Sequence, residues 1–142
     1  MKTKILFLTS VMIFSMARTG QAQFDAIYSQ LLAIGRVEIN QGYKLTHDIE
    51  VDYLNDDGYT SYYFTLYRGW TYRIWGVCDN DCDDLDLCLY DESNNEIDCD
   101  KTTDDRPVTK VTPKWTGRFR LQVKMYDCKI NPCKFGFAVF GK

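Results

Sequence analysis

Residues 78–91 read Cys-Asp-Asn-Asp-Cys-Asp-Asp-Leu-Asp-Leu-Cys-Leu-Tyr-Asp, and the fold reading starts from them. Three of the six cysteines fall here, at 78, 82 and 88, together with six aspartates, at 79, 81, 83, 84, 86 and 91. Leu85, Leu87 and Leu89 alternate with polar or smaller residues, the period of a strand with one face in a core. The stretch predicts an acidic, cross-linked loop running into a core strand.

Both flanks of this strand carry the same period. On its N-terminal side, Ile49, Val51 and Tyr53 alternate with Asp48, Glu50 and Asp52, and Asn55-Asp56-Asp57-Gly58 is a strong turn. In Tyr59–Tyr67, Tyr62, Phe64 and Leu66 share one face; Tyr59, Ser61, Tyr63, Thr65 and Tyr67 share the other. Arg68-Gly69-Trp70 turns the chain into a strand over Thr71–Val77. On the C-terminal side, a short extended piece covers Val108–Val111. Phe119, Leu121, Val123 and Met125 then point inward, with Arg118, Arg120, Gln122 and Lys124 outward, and Phe135, Phe137 and Val139 mark the last strand. About eight short strands at this spacing predict an all-β antiparallel sandwich, jelly-roll or Ig-like, over residues 43–142. Residues 24–39 predict a helix within an N-terminal segment 23–42: Phe24, Ile27, Tyr28, Leu31, Leu32 and Ile39 recur at helical spacing, and Gly42 suits a stop. The helix is expected to pack on the sandwich or cap one end; the alternative is that it docks a partner.

The N-terminus carries the marks of a secretory signal. Lys2 and Lys4 precede a mostly apolar run from Ile5 to Met16, and Gly20-Gln21-Ala22 supplies small residues for cleavage after Ala22. The apolar run is short of the ~20 residues a bilayer-spanning helix needs. The expected location is the periplasm or the medium. Removing residues 1–22 leaves 14 bases against 20 acids, a net charge of −6, which argues against nucleic acid as partner. The charge is uneven: residues 79–105 hold 12 acids and one base, residues 106–142 nine bases and one acid. Acidic loops and basic strands that neutralise each other account for this, as does an acidic cation site beside a basic sheet face.

Six cysteines in an exported chain predict three disulfides. Cys78–Cys82 would staple the acidic loop, and Cys128–Cys133 flanks the turn Lys-Ile-Asn-Pro. A four-residue turn at Glu92-Ser93-Asn94-Asn95 puts Cys88 opposite Cys99, within bridging distance. The same register sets Leu87 and Leu89 on one face with Asp98 and Asp100, so the second strand either leaves the core early or carries a bulge. The zinc alternative, Cys-x3-Cys with Cys-x4-Cys, is looser than structural zinc pairs usually are.

Three segments resemble the bacterial pre-peptidase C-terminal domain, a β-sandwich module that often follows the catalytic domain of secreted peptidases. They are Phe64-Thr-Leu-Tyr-Arg-Gly-Trp-Thr-Tyr-Arg-Ile74, Asp84-Leu-Asp-Leu-Cys-Leu-Tyr-Asp91 with its Asn-rich turn, and Thr116-Gly-Arg-Phe-Arg-Leu-Gln-Val123, similar to the family's "sGtY-x-l-x-V" strand. The resemblance covers roughly residues 48–140. The chain departs from the pattern in the helix that stands where members carry a peptidase, and in its cysteines. The resemblance implies an accessory unit that binds substrate, assists secretion or stabilises partners; some related collagenase modules bind calcium and collagen.

For calcium, which takes six to eight hard oxygens, the candidate ligands are Asp79, Asp81, Asp83, Asp84, Asp86 and Asp105, with Asp104 an alternative in the last place. Asp79-x-Asp81-x-Asp83 begins like an EF-hand loop. Asp84 then stands where that loop needs Gly, and Tyr90 where it needs the bidentate Glu. A solvated acidic rim, or carboxylates that accept loop N–H groups, explains the same residues without an ion. For ligand binding the candidates are Tyr59, Tyr63 and Tyr67, a stripe near Arg73 and Trp75 suited to a glycan or an extended peptide; cross-strand aromatic pairing is the plainer account. Trp70 and Trp115 follow turns and are read as core or rim plugs. Catalysis finds little support. His47 is the one histidine, Ser29, Ser61 and Ser93 lack a nucleophile-elbow context, and the cysteines are committed to disulfides. The sequence therefore predicts an exported, non-catalytic binding or accessory module with an unidentified protein or glycan partner. The alternative is a structural or chaperone-like protein acting through its helix, and a small hydrolase is the third class.

Overall fold

The computed structural model describes residues 19–142, with side chains from Ala26 onward. The expected signal peptide (1–22) lies outside them except for the backbone of its last four residues, and so does the side chain of Phe24. Helix α1 (Thr19–Asn40) leads into nine strands: β1 (Lys44–Leu45), β2 (Glu50–Leu54), β3 (Tyr59–Leu66), β4 (Tyr72–Cys78), β5 (Cys82–Tyr90), β6 (Glu96–Asp100), β7 (Val108–Val111), β8 (Gly117–Cys128) and β9 (Cys133–Gly141). They form two antiparallel sheets. Sheet A runs β1-β9-β4-β7, with β2 also paired to β9; sheet B runs β3-β8-β5-β6. The inward residues of the two sheets meet in one core. Leu85, Leu87 and Leu89 of β5 and Phe119, Leu121, Val123 and Met125 of β8 lie against Tyr72 and Ile74 of β4 and Phe135, Phe137 and Val139 of β9. A mostly-β chain with two facing antiparallel sheets fits the sandwich that the alternation predicts.

Helix α1 adds a third layer on the outer face of sheet A. Ile27 and Leu31, with Ile34 beside them, pack on Val77, Ala138 and Phe140 in a second, smaller core. Two glycines let the layers approach. A Cβ on Gly136 would lie 2.7 Å from Ile27 Cγ2 and 2.9 Å from the Glu50 carbonyl, and one on Gly35 would press on the Phe140 ring at 3.3 Å. The buried stripe is narrower than the sequence pattern implies: Tyr28, Leu32 and Ile39 remain exposed. Their places at the sheet are taken by Ile34 and by a charged residue, Glu38, which is 1% exposed. Glu38 accepts hydrogen bonds from Arg73 Nη1 (3.0 and 3.2 Å) and Trp75 Nε1 (3.0 Å), so the helix is tied to β4 by charge as well as by packing. Gly42, two residues past the end of α1, has a φ of 87° that permits the left-handed turn. The Gly42 N–H donates to Ile39 O and the Tyr43 N–H to Glu38 O, both at 3.0 Å, which completes a Schellman cap.

Cys88 stands opposite Cys99, Leu87 opposite Asp100 and Leu89 opposite Asp98, with a bulge beyond Leu89. The inward aspartates are accommodated because β6 is the last strand of sheet B. Their carboxylates reach across to β7, at the open edge of sheet A: Val108 N–H donates to Asp100 Oδ2 (2.9 Å) and Lys110 N–H to Asp98 Oδ2 (2.8 Å). Two side chains thus serve β7 where a neighbouring strand would. The three bridges, Cys78–Cys82, Cys88–Cys99 and Cys128–Cys133, are the pairs read from the spacing, and no described cysteine is free.

Candidate ligand-binding surface

The outer face of sheet B is built from β3, β8 and β5. Strand register sets Tyr63 beside Arg120 beside Tyr90, Ser61 beside Gln122 beside Cys88, and Tyr59 beside Lys124 beside Asp86. The aromatic rings and cations interleave. The Arg118 guanidinium lies 4.6 Å from the Tyr63 ring centroid and that of Arg120 lies 4.1 Å from Tyr90. Arg120 also donates to Ser61 Oγ (3.4 Å) and Asn94 Oδ1 (3.3 Å). Among the described residues neither arginine has a carboxylate within ion-pair distance. Beside them opens a cleft of about 430 Å3, walled by Tyr63, Asn94, Phe119, Arg118 and Arg120 and, on its acidic side, by Asp91 and Glu92. Aromatic platforms with pre-positioned guanidiniums that no described carboxylate pairs suit planar anions such as carboxylate or sulfate.

Tyr59 and Tyr63 are 67% and 56% exposed on this face, as the alternation implies. Tyr67 lies past the end of β3 and turns instead to a separate hollow with Lys44, Trp70 and Tyr72. The expected neighbours are a different matter. Arg73 and Trp75 belong to β4 in the other sheet and are occupied by Glu38 under the helix. The residues that do flank the tyrosines are Arg118 and Arg120. The sequence shows them pointing outward; that β8 pairs with β3 is a long-range fact that no local period contains. Trp70 stacks on Tyr72 and Trp115 on Phe119, both at the rim.

The acidic segment is dispersed into separate tasks. Asp79, 5% exposed, shapes the loop: its Oδ2 accepts from Lys134 N–H (2.7 Å) and its Oδ1 from Asp81 N–H (3.2 Å). Asp83 pairs with Lys129 at 2.6 Å and holds that ammonium's pKa above the ordinary lysine value. Asp104 accepts from Arg106 N–H and Thr102 Oγ1, and the carbonyl of Asp105 faces Cys78 Sγ. Asp84 and Asp86 lie on the outer side of β5, 5% and 9% exposed, each with one oxygen that is buried and without a hydrogen-bond partner. Burial raises both carboxyl pKa values, and the negative charge of Asp84 adds to the rise at Asp86. Among the described residues no three carboxylates converge to ligand distance; the one such group, Cys88, Glu96 and Cys99, contains a disulfide. The six predicted calcium ligands are therefore not brought together as one set.

At the Asn-rich turn, Asp91 gathers the N–H groups of Ser93 and Asn95 on Oδ1 and the Asn95 amide on Oδ2; the bond from the Asn95 side chain is the main cause of its lowered pKa. His47 sits between the sheets' edges with Nδ1 2.9 Å from Thr46 Oγ1 and Nε2 3.1 Å from Thr65 O. No helix among the described residues is long and apolar enough to cross a membrane. No family model matches the chain, and no curated protein shows significant similarity to it.

Proposed function

We propose that the protein is an exported, non-catalytic binding module, an accessory β-sandwich of the pre-peptidase C-terminal type with jelly-roll or Ig-like topology, acting in the periplasm or outside the cell. Three disulfides support an oxidising compartment. The observation that carries the binding role is the row of Arg118 and Arg120 laid against Tyr63 and Tyr90, Arg118 with Tyr63 exposed and Arg120 with Tyr90 half-buried on the sheet, with neither arginine paired to a described carboxylate. A sheet bridged at Cys88–Cys99 holds these groups in place, so little ordering entropy is lost on contact. The ligand is an anionic polymer whose carboxylates or sulfates meet the guanidiniums while its apolar parts lie on the rings. Titration with heparin and with poly-glutamate tests this. Binding should weaken with salt and fall at least about tenfold in R118A/R120A. Equal binding by that variant removes the assignment.

Calcium has a narrower basis, the partnerless buried oxygens of Asp84 and Asp86. A thermal melt with calcium and with EDTA tests it: a rise lost in D84N/D86N assigns the ion to β5. The helix reading rests on the exposed Leu32, Val37 and Ile39, since the buried stripe of α1 is spent on sheet A.

A further inference from the structure

The edge of sheet B opposite β6 is β3, and no described strand pairs with its outer side. The Met125 N–H donates to Gly58 O (2.8 Å), which fixes the phase of the β3–β8 ladder. Gly58, Thr60, Tyr62 and Phe64 turn their backbone groups to β8; those of Tyr59, Ser61, Tyr63 and Thr65 turn away. Of these outward groups only the Thr65 carbonyl meets a described partner, His47 Nε2 at 3.1 Å. The contrast with the opposite seam is sharp, because there Asp98 and Asp100 cap the outward N–H groups of β7.

Alongside this edge runs an open cleft of about 580 Å3 between the sheets. Tyr62, Phe64 and Phe137 line its aromatic side, and Asp48 and Glu50 line the other. No described lysine or arginine lines it. A strand laid beside β3 would send alternate side chains into this cleft. The chemistry suits lysine or arginine there, with the aliphatic stem on the rings and the cationic head at the carboxylates. A second copy of the chain would offer Thr60, Tyr62 and Phe64 in those positions, none of them a cation. We propose that β3 accepts an extended basic peptide as an added strand of sheet B, bonded to the backbone of Ser61 and Tyr63 and read by Asp48 and Glu50. Tyr63 belongs to both surfaces, its ring to the Arg118–Arg120 face and its backbone to this edge, but the test here turns on Asp48, Glu50 and backbone amides, which the other test does not touch.

The probe is a blocked heptapeptide that alternates valine and lysine, added to the oxidised protein. The expected result is saturable binding, with hydrogen exchange at the Ser61 and Tyr63 amides slowed at least about tenfold. Methylating the peptide's amides on one alternate set should abolish binding and on the other set spare it, because only one set faces β3. D48N/E50Q should weaken binding about tenfold, and a valine–glutamate peptide should not bind. Absence of binding at millimolar peptide, unchanged exchange at Ser61 and Tyr63, or equal effects of the two methylated sets overturns the proposal. Protection of the same amides that rises with protein concentration and without peptide also overturns it, in favour of a second copy.

Discussion

Asp84 and Asp86 lie on the polar side of β5, yet both are nearly excluded from water and each leaves an oxygen unpartnered. Burial favours their neutral forms, so the folded chain holds these protons more tightly than the unfolded chain, where a carboxyl titrates near ~3.9. Stability supplied by the protonated forms is therefore lost as pH rises from about 4 through the raised values. D84N/D86N should gain in melting temperature over the parent across that window, without calcium; a constant difference from pH 4 to 7 would contradict this. Asp91 has the opposite sign, because its bonded carboxylate holds the pKa down; its contribution is lost as pH falls through that lowered value. Asp98 supports β7 from the neighbouring sheet. D98A leaves the Lys110 N–H without its partner and should cost about 1 kcal/mol in urea unfolding. Much at this scale is legible in the sequence. The three bridges follow from spacing; counting across a four-residue turn reaches the Cys88–Cys99 register, although Tyr90 rather than Asp91 faces Glu96 and the bulge beyond Leu89 makes up the difference. The place of Arg118 and Arg120 beside Tyr63 does not, since it depends on which strand lies beside β3. The same holds for Glu38: a glutamate at the edge of an apolar stripe reads as solvent-facing until Arg73 and Trp75 are known to lie beneath it.

The helix and β4 form one locked pair. E38A would bury an uncompensated Arg73 guanidinium end and free Trp75 Nε1, at a cost of about 2–4 kcal/mol. A double-mutant cycle with R73M should recover part of that loss; additive losses would mean that the pair carries no coupling. Gly136 tests the packing of the same layer. A methyl group there meets Ile27 and the Glu50 carbonyl, so G136A should cost about 1–3 kcal/mol and loosen α1, seen as faster exchange of the helix amides. Element types and approximate bounds are legible because nearly every strand keeps its period of two. Two bounds are not. Strand β8 runs on to Cys128, beyond the alternation that ends at Met125, because bulges around Asp84 let β5 follow it. Strand β1 is two residues long and is held by β9 rather than by any pattern of its own.

At the scale of the molecule, the layers are helix, sheet A and sheet B, and β9 is common to both cores. All nine of its residues are buried; Phe135, Phe137 and Val139 face sheet B, and Ala138 and Phe140 face the helix. The sequence marks its inward face, but its other face is apolar only because a helix covers it, which is why a strand without alternation is hard to place from sequence alone. Strand β9 is also the last of the nine in chain order, while β1, β2, β4 and α1 all depend on it. During synthesis, then, the first hundred and thirty or so residues can form hairpins but cannot close sheet A. A chain stopped after Pro132 should remain open to proteases over its whole length, and a chain completed through Gly141 should become resistant in a single step. Such a molecule stays pliable until its last strand is in place and becomes rigid only then.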